Sequence, residues 1–175
     1  MQKSVRLILV AALIGLGFWG WRFLFPSPEH AIRSRLHALA NTACFKPGDG
    51  VMLRAYKIQA VPDFFTPDAI VNLDVRGFET TAFHGRPDLQ AAAAAAMQRL
   101  AGLRVEFLDI NVTVAPDRQS AVANLTCRVT RSGDHDFVVQ EFDFHMKRVG
   151  RDWLIERVDT VKTLSATRNF LRRAA

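Results

Sequence analysis

The chain has 175 residues and a formal net charge of +6, which suggests an anionic partner until the charges are located. Seven basic residues lie in the terminal segments, and the rest of the chain holds 16 basic and 17 acidic residues. The near-neutral body argues against nucleic acid as a partner, because nucleic-acid binding needs a clustered basic surface. The terminal basic residues suit anionic lipid headgroups; they are Lys3, Arg6, Arg22, Lys162, Arg168, Arg172 and Arg173.

An apolar run at residues 7–25 predicts a transmembrane helix. It carries one charge, Arg22, and as a helix it would span about 28 Å, close to the thickness of a hydrocarbon core. The tryptophans at its far end are typical of a membrane–water boundary. The competing interpretation is a cleaved signal peptide, with small residues for the cut at Gly15 and Gly17, but such apolar regions are usually shorter. We therefore favour an uncleaved anchor.

This anchor divides the chain into four segments. Residues 1–6 form a short cytoplasmic end, 7–25 span the membrane, 26–164 form one folded domain, and 165–175 form a basic tail. The folded segment is long enough for one sizeable hydrophobic core. We expect a single-pass protein of the cell membrane with its domain outside the cytoplasm, which is the periplasmic side in a bacterium.

The two cysteines, Cys44 and Cys127, allow two interpretations. They could form a disulfide in a compartment outside the cytoplasm, although a free cysteine is commonly just a small buried hydrophobic residue. Neither has a Cys-x-x-Cys neighbour or a histidine at ligand spacing. We therefore expect no metal site, and no motif points to a cofactor.

Three helices are predicted from caps and periodicity. Ser27 and Pro28 suit the N-cap and first position of a helix that ends near residue 46. A second helix is expected over residues 51–60, because Pro62 breaks it. The third opens at Gly85-Arg86-Pro87-Asp88 and contains a run of alanines, which favour helix and allow close approach to a sheet.

Alternating apolar and polar residues predict strands in the rest of the chain. Residues 69–75 and 79–84 predict two strands on either side of a turn at Gly77. Four longer runs, at 103–114, 120–131, 137–149 and 153–164, are separated by short turns and predict an antiparallel meander. The alternation gives the sheet one packed face and one polar face. It predicts an α+β domain with its helices on one side of the sheet.

The order of elements and two short strings resemble the nuclear transport factor 2-like superfamily. Phe83-His84-Gly85-Arg86-Pro87-Asp88-Leu89 is similar to the family's junction between a strand and the third helix, and Gly150-Arg151-Asp152-Trp153-Leu154-Ile155 to its final hairpin. The resemblance covers about residues 28–161. It implies a cone-shaped, cystatin-like fold, in which a curved antiparallel sheet wraps around about three helices and encloses a pocket. The family includes ketosteroid isomerase, polyketide cyclases, dehydratases and non-catalytic binding modules, so the fold alone does not decide function.

The resemblance also implies where isomerase residues would lie. The position of the family's general-base aspartate falls on Leu73, and Asp74 is adjacent but points to the other face of a strand. The family's tyrosine in the first helix is missing, since the one tyrosine is Tyr56. Isomerase chemistry is therefore not expected. The residues expected to line the pocket are apolar; they are Leu73, Leu125, Cys127 and Val129.

Two functions follow from these observations. We favour a membrane-tethered binding or scaffold module for a protein partner or a small apolar ligand, with a second copy as a further partner through the sheet. The alternative is a membrane-tethered enzyme of the polyketide cyclase or dehydratase type, in which Asp74 and His84 form an acid–base pair in the pocket. Asp143 and His145 share a polar strand face, which is typical of a solvated surface or an oligomer contact.

Overall fold

The computed structural model describes residues 27–74, 80–133 and 137–166 of the chain, apart from the side chains of 162–166. The predicted transmembrane segment 7–25 lies outside the described residues, as does the predicted basic tail beyond residue 166. Within the described ranges, none of the helices is both long and apolar enough to cross a bilayer.

Helix α1 (Pro28–Ala43) begins at the predicted residue and ends slightly before the predicted point. The Ser27 hydroxyl accepts a hydrogen bond from the backbone N–H of His30 at 3.3 Å, which caps the first turn. The buried side chains recur every three or four residues, so one stripe of α1 packs against the sheet; they are Ile32, Leu36, Leu39 and Ala40.

The other two helices also match the prediction. Helix α2 (Val51–Ala60) leads into a 3-10 turn (Val61–Phe64) that contains the helix-breaking Pro62. Helix α3 (Gly85–Arg99) buries Leu89 and Met97, whereas no residue of α2 is buried. The helical side of the core therefore comes from α1 and α3, and α2 lies on their outside.

Six strands form one mixed sheet in the order β2–β1–β6–β5–β4–β3. Strands β3 to β6 form the predicted antiparallel meander, and β1 pairs with β2 in antiparallel register. The strand bounds are β1 Phe65–Leu73, β2 Thr81–His84, β3 Leu103–Val114, β4 Ser120–Arg131, β5 Phe137–Val149 and β6 Asp152–Ala166.

The prediction of a purely antiparallel sheet is wrong at one pair, because β1 runs parallel to β6. The chain between these strands includes β2, α3 and strands β3 to β5, and a connection of that length does not force an antiparallel pairing as a tight turn does. Strand β1 also starts before the predicted residue 69, and its register with β6 is irregular between Phe65 and Ile70. Pro67 lies in this irregular stretch, where a missing N–H is tolerated.

The hydrophobic core lies between the helices and the inner face of the sheet. Ile32, Leu36 and Ile155 are fully buried, and Met146 is almost fully buried. One cluster joins α1, α3 and the inward side chains of the sheet; its members from the sheet include Ala69, Val71, Ala123, Leu125, Phe144 and Val158. Packed apolar side chains therefore occupy the concave face of the sheet over these residues.

Candidate functional site

The four residues predicted to line a pocket all belong to the inner face of the sheet. Leu125 and Cys127 are buried in the core cluster. Leu73 and Val129 are partly buried and pack against the same cluster. All four side chains therefore point towards the helices, as strand alternation requires of residues on the inner face. What they contact is the packed core described above.

The structure does not bring Asp74 and His84 together. The β1–β2 register places His84 opposite Ile70, and Asp74 follows Ile70 by four residues, which is about 13 Å along a strand. Both residues are exposed. Because Leu73 packs against the core, the adjacent Asp74 faces away from it. The backbone N–H of His84 donates to Asp88 Oδ2 at 3.0 Å, so His84 serves as the start of α3.

The junction between β2 and α3 is fixed by contacts with the start of β1. Gly85 has a φ of +72°, and a Cβ there would lie 2.8 Å from the carbonyl oxygen of Pro67. Only glycine meets both requirements without strain. Nε and Nη2 of Arg86 donate to the carbonyl oxygen of Phe65 at 2.9 and 2.8 Å. The Gly-Arg-Pro-Asp string therefore has a structural role that aligns α3 with β1.

A cleft of about 620 Å³ opens on the outer face of the sheet. Ile70 lies opposite Arg157, and Arg157 lies opposite His145, so one row crosses β1, β6 and β5. Directly opposed residues share a face, and Ile70 alternates with the buried Ala69 and Val71. The cleft therefore lies on the face away from the core. Its lining residues are Asp68, Ile70, His145, Glu156, Arg157 and Asp159.

Asp159 is the centre of the polar contacts in this cleft. Its Oδ2 accepts from Arg157 Nε at 2.7 Å, and its Oδ1 accepts from Asn72 Nδ2 at 2.9 Å. His145 Nε2 lies 3.6 Å from the same Oδ2. Partial burial acts to raise the pKa of Asp159, but the hydrogen bonds from Arg157 and Asn72 and the nearby positive charge outweigh it and lower the pKa below its usual value. Asp159 is thus held ionised where three strands meet.

The polar row continues beyond the cleft on the same face. Asp143 of β5 lies directly opposite Asp159 of β6, an arrangement of like charges that destabilises a sheet. Each carboxylate has an amide donor on its far side, because Asn124 Nδ2 donates to Asp143 Oδ1 as Asn72 does to Asp159. The outer face of the sheet is therefore an ordered polar surface.

One carboxylate of the cleft, Asp68, has no partner among the described residues. Glu156 lies 3.5 Å from Lys147 Nζ, whereas Asp68 makes no hydrogen bond or ion pair with the described part of the chain. Asp68 is exposed beside Ile70, which is itself 36% exposed. These carboxylates do not make a metal centre, since the described ranges hold no group of three His, Cys, Asp or Glu that could bind a metal ion. The cleft offers an unpaired negative charge next to an aliphatic surface.

Both cysteines are free thiols in the structure. Cys44 Sγ donates to the Val105 carbonyl at 3.3 Å and accepts from the Val105 N–H at 3.1 Å. Burial, with a smaller contribution from the nearby Cys44, raises the pKa of the Cys127 thiol to about 12. Cys127 is therefore protonated and unreactive near neutral pH.

No protein-family profile matches the sequence, and no curated protein matches it. Solved structures do match. A nuclear transport factor 2-like protein with a cystatin-like fold from Novosphingobium aromaticivorans aligns with a TM-score of 0.60, over 92% of this chain and 91% of its own, at 18% identity. The chain has the cystatin-like cone fold. A domain of unknown function with this fold from Nostoc punctiforme also gives a TM-score of 0.60, over 86% of each chain, at 18% identity.

One similar structure has a name that suggests an enzyme. A proposed scytalone dehydratase of Novosphingobium aromaticivorans aligns with a TM-score of 0.59, over 79% of this chain and 87% of its own. Its sequence identity to this cone-fold chain is 10%. At such identities the likeness shows the shared fold and leaves function to the site.

The sequence predicts the strand face of some cleft residues, but not the cleft itself. It places His145 on a polar strand face, and the alternation of Asp68 and Ile70 with Ala69 assigns those two residues to the outer face of β1. No local pattern shows that β1 lies beside β6. That pairing brings together Asn72 and Asp159, which are 87 positions apart in the chain.

Proposed function

We propose that this cone-fold domain is a membrane-tethered binding module that contacts a protein partner through the cleft on the outer face of its sheet. The observation that carries the proposal is the distribution of polar groups. The ordered carboxylates, amides and His145 gather on the outer face, while apolar side chains pack the concave face where the family's pocket is expected.

The chemistry of the cleft indicates the kind of partner. Asp159 and Glu156 already face Arg157 and Lys147, whereas Asp68 has no ion pair within the part of the chain that the structure describes. A lysine or arginine of the partner could pair with Asp68 while its aliphatic stem covers Ile70, since long basic side chains combine a charged head with an apolar stem. The partner surface is therefore expected to be basic with aliphatic neighbours.

The enzyme alternative has less support from the geometry. An acid–base pair must reach the reacting groups directly or through one water. Asp74 and His84 are about 13 Å apart along the sheet and are both exposed, so they do not converge on the concave side. The binding module is the function that this arrangement favours.

The tether is tested by membrane fractionation of the full chain. An uncleaved apolar segment at residues 7–25 should keep the protein in the membrane pellet after carbonate or high-salt extraction. The reason is that transfer of its apolar side chains from lipid to water is strongly unfavourable. A soluble mature protein that begins near Phe18 would overturn the tether and the proposed location on the outer side of the cell membrane.

The contact surface is tested by complementation of a deletion strain. Asp68→Lys should abolish the cellular role without loss of folding, because Asp68 is exposed and the substitution repels a basic partner. The matched control is Asp152→Lys, which changes an exposed carboxylate at the start of β6, outside the cleft. Asp74→Asn and His84→Ala should retain the role. The proposal fails if Asp68→Lys complements as well as Asp152→Lys, and the enzyme alternative replaces it if either Asp74→Asn or His84→Ala loses the role while folded.

A further inference from the structure

Helix α2 presents four of its five large apolar side chains to the outside of the domain. Val51 and Met52 are 85% and 88% exposed, and Tyr56 is 67% exposed. Leu53 is also exposed, and no residue of the helix is buried. In a helix that rests on a globular domain, the apolar face ordinarily points inward. Helix α2 departs from this pattern, because an apolar face points towards solvent. We call this face, made of Val51, Met52, Leu53 and Tyr56, the exposed apolar face of α2.

Charged side chains hold α2 to the rest of the domain. Arg54 donates from Nη1 to the carbonyl of Met97 at 3.3 Å and from Nη2 to the carbonyl of Lys46 at 3.1 Å. Lys57 Nζ donates to the carbonyl of Cys44 at 2.7 Å. These contacts satisfy carbonyls at the C-terminal ends of α1 and α3 and in the loop after α1, as basic residues near helix C-termini do. These polar contacts and the half-buried Ile58 fix the helix in place, and the side chains of Val51, Met52, Leu53 and Tyr56 remain available.

We propose that the exposed apolar face of α2 docks into the headgroup–acyl boundary of the membrane that holds the anchor. This inference rests on the proposed tethering through residues 7–25. That segment ends three residues before Pro28, and α1 is 16 residues long, about 24 Å. If α1 lies along the membrane surface, α2 meets the bilayer within that distance of the anchor.

The charges on the exposed positions of α1 and α2 fit an anionic surface. The one carboxylate of these two helices is the half-buried Glu29, whereas Arg33 adds a positive charge at an exposed position. Tyr56 combines an apolar ring with a hydroxyl, which suits the boundary between lipid and water. The exposed positions are His30, Arg33, Ser34, His37, Ala38 and Asn41 in α1, and Val51, Met52, Leu53, Ala55, Tyr56 and Gln59 in α2.

The size of the apolar face favours lipid over a second copy of the chain. Four side chains present roughly a few hundred Å², which is within the range of functional patches on monomers. A stable protein dimer buries about 800 Å² on each partner. A helix at the membrane interface needs less buried area than a dimer. Because the anchor already holds the domain at the membrane, the apolar face meets the lipid at a high effective concentration.

Methionine oxidation tests the docking in the full chain. The protein is reconstituted into vesicles of phosphatidylcholine and phosphatidylglycerol at low protein-to-lipid ratio, treated with hydrogen peroxide, and analysed by peptide mass spectrometry. Met97 and Met146 are buried and serve as slow internal references. An Ile70→Met variant supplies a reference methionine on the outer face of the sheet, on the other side of the domain from α2, at a position that is less exposed than Met52 (36% against 88%). Docking predicts that Met52, despite its 88% exposure, oxidises at least fivefold more slowly than the methionine introduced at position 70.

The outcomes separate this inference from the tethering on which it rests. If the protein does not float with the vesicles, both the tether and the docking are wrong. If it floats and Met52 oxidises as fast as the introduced methionine, the tether stands and the docking alone is wrong. If Met52 is protected only as the protein-to-lipid ratio rises, the occupant of α2 is a second copy, which also overturns the docking to lipid.

Discussion

Replacing Gly85 by alanine should destabilise the domain by about 3 kcal/mol. A left-handed backbone costs a residue with a Cβ roughly 1–2 kcal/mol, and Gly85 has a φ of +72°. The new Cβ would also lie 2.8 Å from the Pro67 carbonyl oxygen, a backbone atom that must move. Such overpacking typically costs about 1–3 kcal/mol. Because Asp68 follows Pro67, the movement should also disturb the cleft.

Two other glycines separate these contributions. Gly150 has a φ of +64° with no atom within 4 Å of its Cβ position, so Gly150→Ala should show the backbone cost alone. Gly48 has neither a positive φ nor a close neighbour, and Gly48→Ala should be neutral or slightly stabilising. Thermal unfolding of the full-length variants, followed by circular dichroism, should place Gly85→Ala roughly 6–12 °C below wild type. The reasoning is refuted if Gly85→Ala melts at or above Gly150→Ala.

Three further experiments test the core, the thiols and the cleft. Leu125→Asp should prevent folding, because an unpaired buried carboxylate costs several kcal/mol, comparable to the stability of a domain; a native circular dichroism spectrum would contradict this. Iodoacetamide at pH 8 should label the partly exposed Cys44 well before Cys127, whose pKa is about 12. Equal labelling rates would show that Cys127 faces solvent and not the core. The stabilisation from Asp159, whose folded pKa is lowered, is complete above its unfolded pKa of about 3.9 and is lost as the pH falls through the folded value. Arg157→Gln should raise that folded pKa towards the unfolded value, so the fall of the urea midpoint at acid pH should be smaller than in wild type and complete at a higher pH. An unchanged pH profile would exclude the Arg157 contact.

The sequence predicts the helices and the meander because local chemistry determines them. Ser27 and Pro28 set the start of α1, and Pro62 sets the end of α2. The Gly-Arg-Pro-Asp string marks the start of α3, and the structure adds the reason, a left-handed Gly85 pressed against the Pro67 carbonyl. Short turns between long alternating strands force antiparallel pairing. Each of these signals acts over a few residues.

The sequence does not predict the parallel β1–β6 pair or the cleft that depends on it. The cleft needs Ile70 opposite Arg157, and that register follows from how β1 attaches to the edge of the meander, far along the chain. Alternation could assign Asp68 and Ile70 to the outer face, but not the strand that they meet. The separation of Asp74 and His84, the pair required by the enzyme alternative, is likewise set by the β1–β2 register, which no local sequence pattern indicates.

The packing of the core explains why the surfaces suited to binding lie on the exterior. Side chains of α1 and α3 already fill the concave face with Ile32, Leu36 and Leu89, so the core does not need α2. Helix α2 can then be held by Arg54 and can expose its apolar residues at no cost to the core. On the opposite side of the domain, no helix of the described ranges covers the outer face of the sheet, which carries the polar row around Asp159. A domain whose interior is filled in this way is expected to act through its two outer surfaces, one apolar and one polar.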